Sequence, residues 1–319
     1  MSSVAGIAVL VQRRNSGRLN SAYPGTLRDV SAGRWRQEVY QDVSEYPPIQ
    51  PQHERRKYLL TSHGALGGTH LLSFAGLERE TSKKLDRLAR LAEAGFTPGP
   101  ERLEHGFLLR RFVPGRPVSS ESASRELIER VASYLAHLSR EHQSEPSVTH
   151  LSLREMIVVN LAEALKESVT EALTGVLPAG EWLERPVALD GRMLAHEWID
   201  TDEGFLKMDA MDHHDDHFFP GRQDIAWDVA ASAVELELDR DGRGHLVALY
   251  RRLSGDRSIG SRLPHYAIAY LAFRLGYVSL AATMLSETVD GQRFTRQMER
   301  YTRLVRSELN RSGSESWRG

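Results

Sequence analysis

From Asp190 onward the chain gathers side chains that can hold a metal ion or move a proton, in the stretch DGRMLAHEWIDTDEGFLKMDAMDHHDDHFFPGRQDIAWDVA. Apolar residues are interleaved throughout, so several of these carboxylates and imidazoles are expected on strands and tight turns. Carboxylate oxygens suit magnesium, which takes one or two protein carboxylates and leaves its other positions to water and phosphate. His213, His214 and His217 suit a transition metal instead. Adjacent histidines on a strand point to opposite faces, so they signal less than a pair one helical turn apart. The alternative is a solvated acidic loop, and residue types alone do not separate the two.

The bulk numbers narrow the chemistry. There is no cysteine in 319 residues, which excludes disulfides, thiolate nucleophiles and Cys-ligated zinc or iron–sulfur sites, and fits a cytoplasmic protein. A formal net charge of −2 supplies no global field for nucleic acid or anionic lipid, so neither partner is expected. The apolar stretch Tyr266 to Met284 is interrupted by Arg274, which a membrane span would have to bury in lipid; a buried helix is expected there. Val4 to Val11 lacks the preceding basic residue of a secretory signal and reads as a short strand. The length suits two packed units.

Those units must position the acidic stretch. Residues 1–50, closing on Tyr46-Pro47-Pro48-Ile49-Gln50, read as an N-terminal extension whose role the sequence leaves open. Lys57–Thr61 and Thr69–Phe74 read as a hairpin around a Gly-rich connection containing Gly64, Gly67 and Gly68. Leu85, Leu88, Leu91 and Ala92 mark one face of a helix from Glu80 to Ala94, closed by Gly95. A strand near 106–113 stops at Pro114-Gly115-Arg116-Pro117. Helix then dominates: Ser119–Ser120 offer an N-cap to a stripe of Leu127, Val131, Leu135 and Leu138, and further helices are expected near 151–174, 224–238, 243–254, 264–285 and 290–309. Short irregular strands are expected among them between about 186 and 216, and residues 311–319 read as a frayed tail.

This order of elements resembles the aminoglycoside-phosphotransferase and choline-kinase family. The hairpin, the helix ending in Ala94-Gly95-Phe96, and the strand running into Pro114-Gly115-Arg116-Pro117 are similar to that family's N-lobe and hinge. Lys207-Met208-Asp209 and Asp224-Ile225-Ala226 are similar to its metal-binding Asp and structural helix start. The resemblance implies an α+β, two-lobed protein-kinase-like fold, with a small β-rich N-lobe over 51–113 and a larger, mainly helical C-lobe over 114–310. It also implies Mg2+ and ATP or GTP as cofactors, with the hydroxyl of a small molecule as acceptor.

Carried over residue by residue, the resemblance lays Asp190-Gly191-Arg192 on the family's His-Gly-Asp motif, Glu197 on its Asn and Asp209 on its metal-binding Asp. Glu197 and Asp209 then hold the metal. Arg192 stands where the hydroxyl-orienting Asp is expected and cannot act as a base at neutral pH; Asp190 and Asp212 are the substitutes. The family's phosphate-holding Lys is absent from Thr69-His70-Leu71-Leu72-Ser73-Phe74. Lys57 is the replacement, with Glu78 or Glu80 as its partner and the backbone at Gly64, Gly67 and Gly68 near the phosphates. Asp224 is expected to hydrogen-bond the catalytic loop, Asp228 to cap or salt-bridge, and Trp227 to pack in the core. The resemblance implies an ATP-dependent phosphotransferase, or a degenerate pseudokinase that binds a nucleotide, metabolite or protein without turnover; the His- and Asp-rich stretch 209–217 leaves a metal-dependent hydrolase as a third reading.

Overall fold

The structure is a computed structural model. It describes residues 25–62, 67–76, 80–140, 150–174, 176–177, 186–210 and 221–310. The chain divides into two compact units: Met1–Arg116 with Thr201–Met208, and Pro117–Asp200 with Asp209–Gly319.

The first unit is built on an antiparallel sheet of five strands: β1 (Thr26–Asp29), β2 (Lys57–Ser62), β3 (Gly68–Phe74), β4 (Pro100–Glu104) and β5 (Phe107–Arg111), in the order β1-β2-β3-β5-β4. Leu60 lies opposite Leu27, Leu72 opposite Tyr58 and Leu109, and Phe74 opposite Phe107. Directly opposed residues share a face, and these form one apolar cluster around Leu60, Leu72, Phe107 and Leu109. The opposite face carries Lys57, Leu59, Leu71, Ser73 and Arg110. Helix α1 (Glu80–Glu93) buries Leu88 and Leu91 completely. It ends as the sequence predicts. Gly95, with φ +77, donates to the Ala92 carbonyl at 2.8 Å, and the Phe96 N–H reaches back to Leu91 at 2.8 Å, the paired bonds of a left-handed helix end.

This unit begins before residue 51. β1 forms four residue pairs with β2, and the Val30 N–H continues the ladder to the Lys57 carbonyl. The segment after it is pinned by Trp35 and Lys57, both on the Glu54 carboxylate, and by the Arg36 guanidinium on the Gly33 and Pro47 carbonyls. β4 is a second strand the local sequence hides, because it opens on Pro100. An edge strand tolerates proline at its first position.

The second unit is mainly helical: α2 (Arg125–Leu138), α3 (His150–Leu165), α4 (Thr170–Thr174), α5 (Ala226–Glu235), α6 (Arg240–Ser254), α7 (Ile259–Met284) and α8 (Val289–Asn310). Ser124 caps α2 by accepting from the Leu127 N–H at 3.2 Å, and Leu127, Val131, Leu135 and Leu138 are wholly buried as their spacing predicts. α7 is long and apolar enough by length and composition to cross a membrane. Here it is the core helix, packed against α3, α5 and α8. Its Arg274 is buried and sits 3.6 Å from Glu235 at the end of α5. Arg262 near its start lies between Asp224 and Asp256, both fully buried, at 3.1 and 2.6 Å. Each buried charge is thereby paired, the condition for burying it at all.

Candidate functional site

The loop of Asp190, Gly191 and Arg192 is fixed from several sides. Asp228, on the first turn of α5 and fully buried, accepts from the Asp190 N–H at 2.7 Å and the Gly191 N–H at 2.9 Å. The neighbouring Trp227 indole N–H donates to the Gly191 carbonyl at 3.0 Å. From α7, the Tyr270 hydroxyl lies 2.8 Å from the Arg192 carbonyl and 2.6 Å from Glu235 Oε1. A phenol has one proton, so these two acceptors share it. Gly191 at φ +94 and Met193 at φ +35 place left-handed backbone on both sides of Arg192. Met193 is fully buried and is not a glycine, so its conformation is imposed by its surroundings.

The side chains of this loop have separate fates. The Asp190 carboxylate is only 1% exposed and accepts from the Tyr134 hydroxyl at 2.7 Å. That bond gives it a holding role inside the unit. Arg192 is half-buried, and its guanidinium carbon lies 5.8 Å from the centre of the Tyr277 ring. Arg274 lies over the same ring at 5.5 Å. Behind them Glu235 accepts from Tyr270 and Tyr301, each at 2.6 Å, and pairs with Arg300 at 3.3 Å. Burial, with the Glu235 charge beside it, pushes the Tyr301 hydroxyl up to about 12. Tyr270 is raised well above the ordinary phenol by the same two causes.

Glu197 closes a single helical turn, Ala195–Glu197, and is buried. The next residue, Trp198, is fully buried edge-on against Tyr134 at 5.5 Å, and its carbonyl accepts from the Val118 N–H at 2.9 Å. Asp209 is half-buried and follows the strand Gly204–Lys207. That strand is tied by the Lys207 N–H to the Phe96 carbonyl at 2.8 Å, and Arg110 of β5 donates to the Met208 carbonyl at 3.1 Å. Among the described residues no group of three or more His, Asp or Glu could hold a metal. A magnesium ion needs only one or two carboxylates, so Glu197 and Asp209 remain chemically suitable donors.

On the sheet, the Lys57 ammonium is 3.3 Å from Glu54 and 5.6 Å above the Trp35 ring. Gly67 and Gly68 open β3 with φ +42 and +91, backbone that other residues adopt only with strain. β3 carries a buried imidazole, His70, whose Nε2 is 3.1 Å from Glu101 and whose Nδ1 has no partner among the described residues. Glu80 is the first residue of α1. Gly64, Glu78, Asp212, His213, His214 and His217 lie outside the described residues, as do the Val4–Val11 run and the 311–319 tail.

The described geometry has known counterparts. A choline/ethanolamine kinase family protein from Mesorhizobium loti is similar over 95% of this chain and 99% of its own, with a TM-score of 0.56 and 15% identity. A macrolide 2'-phosphotransferase from Brachybacterium faecium is similar over 92% and 97%, with a TM-score of 0.51 and 15% identity. A spectinomycin phosphotransferase in complex with ADP and spectinomycin covers 95% and 98%, with a TM-score of 0.52 and 10% identity. The chain has the choline-kinase and aminoglycoside-phosphotransferase fold. No protein-family model matches the sequence, and no curated protein matches it.

Within this fold, Asp228 bonds the loop at Asp190 and Gly191, and Asp224, four residues earlier, accepts from the Ala226 N–H and pairs with Arg262. Trp227 is core as predicted, and it also holds the loop. Tyr134 and Tyr270 reach the loop from distant helices, and Glu235 stands behind Tyr270, so no local pattern marked them as its supports.

Proposed function

We propose that this chain binds Mg2+ and ATP or GTP and acts as a phosphotransferase on the hydroxyl of a small molecule. The observation that carries this reading is the loop Asp190-Gly191-Arg192, held by Asp228 and followed in order by Glu197 and Asp209. Its fold relatives are small-molecule kinases and phosphotransferases, one of them in complex with ADP. Glu197 and Asp209 would hold the ion, which would neutralise phosphate charge. Phosphoryl transfer depends mainly on positioning and electrostatic stabilisation, so a missing base lowers the rate more than it forbids the reaction. Gly67 and Gly68 would bring backbone N–H groups toward the phosphates, and Lys57 would have to leave Glu54 to join them.

A second reading, nucleotide binding without transfer, is favoured by Arg192 in the hydroxyl-orienting position and by the burial of Asp190 against Tyr134. Calorimetric titration with Mg·ATP, followed by a hydrolysis and transfer assay, separates the two. Uptake with phosphate release supports transfer, and uptake without it supports the second reading. In either case Asp209→Ala should abolish the metal-dependent part. A nucleotide affinity that ignores both Mg2+ and Asp209→Ala would sink the site.

A further inference from the structure

We propose that the segment between β1 and β2 is a latch on Lys57: Glu54 and Trp35 hold its ammonium, and a bound nucleotide has to draw it off. This rests on the functional reading above and adds how that site is regulated.

Lys57 is fixed at its backbone and held by attraction at its tip. Its N–H donates to the Ser31 hydroxyl at 2.9 Å, and its carbonyl accepts from the Val30 N–H at 3.0 Å. Movement is therefore left to the side chain, on its flexible four-carbon stem. The ammonium lies 3.3 Å from Glu54 and 5.6 Å above the Trp35 ring, and both the carboxylate and the ring attract it. The Lys57 and Glu54 side chains are 24% and 13% exposed, so solvent screens the pair only in part. Glu54 does not depend on Lys57 in return. It also accepts from the Gly33 N–H at 2.7 Å and from the Trp35 indole N–H. A carboxylate has about four lone-pair sites, so the segment stays anchored when the ammonium leaves.

Ser73 supplies the place to which the ammonium would turn. Lys57 stands directly opposite Ser73 on β3, and directly opposed residues share a sheet face. Ser73 is buried, and its hydroxyl has no partner among the described residues. An unsatisfied buried hydroxyl is costly. The Lys57 ammonium turned inward, or a polar atom of the ligand, would satisfy it. The same face carries Arg110, which donates to the Met208 carbonyl one residue before Asp209. Released from Glu54 toward this face, Lys57 would join the polar groups of the proposed nucleotide site. A triphosphate carries more negative charge than one carboxylate, and so competes for the ammonium that Glu54 holds.

Calorimetric titration of the full chain with Mg·ATP tests the latch, using wild type, Glu54→Gln, Lys57→Gln and the double variant. Glu54→Gln should tighten Mg·ATP about two- to fivefold, the worth of one partly exposed ion pair. Lys57→Gln should weaken it. Glu54→Gln added to Lys57→Gln should then change nothing further, since the two act through one contact. Equal melting temperatures show that the variants fold. If Glu54→Gln does not fold, the wild-type chain carries the test. Its Trp35 indole N–H resonance, assigned by its loss in Trp35→Phe, should shift as Mg·ATP binds, and a resonance that stays in place overturns the latch.

Mg·ATP bound equally or more weakly by a folded Glu54→Gln would overturn the latch and leave the nucleotide reading intact. So would a gain of affinity that persists in the Lys57→Gln background, because Glu54 would then act by its own charge and not through Lys57. Binding by Glu54→Gln with none in wild type upholds both. Absence of binding in wild type and in Glu54→Gln refutes both.

Discussion

At the scale of single residues, Asp224 and Asp228 show how little separates two roles. Both are fully buried and stand four residues apart, yet one answers Arg262 and the other the loop at 190–191. Asp228→Ala would strand two buried N–H groups, each costing about 1–3 kcal/mol. The expected loss is roughly 2–6 kcal/mol of unfolding free energy, read from denaturant titration, with faster amide exchange at Asp190 and Gly191. Unaltered exchange at those two amides would show that Asp228 does not hold the loop. The sequence reading laid Asp190-Gly191-Arg192 on the motif and assigned its support to Asp224. Spacing is ambiguous here, since either carboxylate can face inward from the helix start, and only the tertiary approach of the loop decides. The same limit hid Asp190's attachment to Tyr134, which is 56 residues away in the chain.

At the scale of elements, local patterns were legible wherever a single element carries its own signal. The stripe of α2 and the glycine-terminated α1 follow from side-chain period and backbone conformation. β1 and β4 do not. β1 is four residues with alternating half-burial, stable only through its partner β2, and β4 starts on a proline. The central helix α7 was read as buried because of Arg274, and the reason is now specific: Glu235 of α5 and Tyr301 of α8 meet that guanidinium. α7 is also tethered outward, with His265 Nδ1 2.8 Å from the Val176 carbonyl. Burial lowers the His265 pKa below its ordinary 6.5, against the opposing pull of that carbonyl. The unfolded chain therefore takes up this proton first as pH falls. Its contribution to stability is complete above 6.5 and is lost below it, toward the depressed folded value. Melting temperatures recorded from pH 7 down to 5 should fall less steeply in His265→Gln than in wild type. Parallel profiles would mean that this imidazole is not linked to folding.

At the scale of the whole molecule, the fold is shared with proteins of 10–15% identity. What is shared over that distance is the fold, and the order of its main elements was legible in sequence. The point at which the first unit begins was not, because residues 26–49 are polar and proline-interrupted and show their place only by pairing with β2. That pairing makes a prediction about a chain beginning at residue 51. Such a chain loses the β1 partner of Thr61, Leu60, Leu59 and Tyr58, leaving β2 as an open edge with unpaired N–H and C=O groups. It also loses Val30 and Ile49, which are 2% and 8% exposed, and burial of such side chains contributes about 1.5–3 kcal/mol each. Glu54 would keep Lys57 but lose the Trp35 indole that both contact. The expected result is a chain that associates through β2, or one whose calorimetric transition is lower and smaller in enthalpy than that of the full chain. The helices of the second unit belong to a compact unit of their own, so much of the helical circular-dichroism signal should remain when the first unit is lost. A truncated chain that stays monomeric and melts with the full chain's temperature and enthalpy would make residues 1–49 an appendage after all, and would remove β1 from the structural core of the sheet.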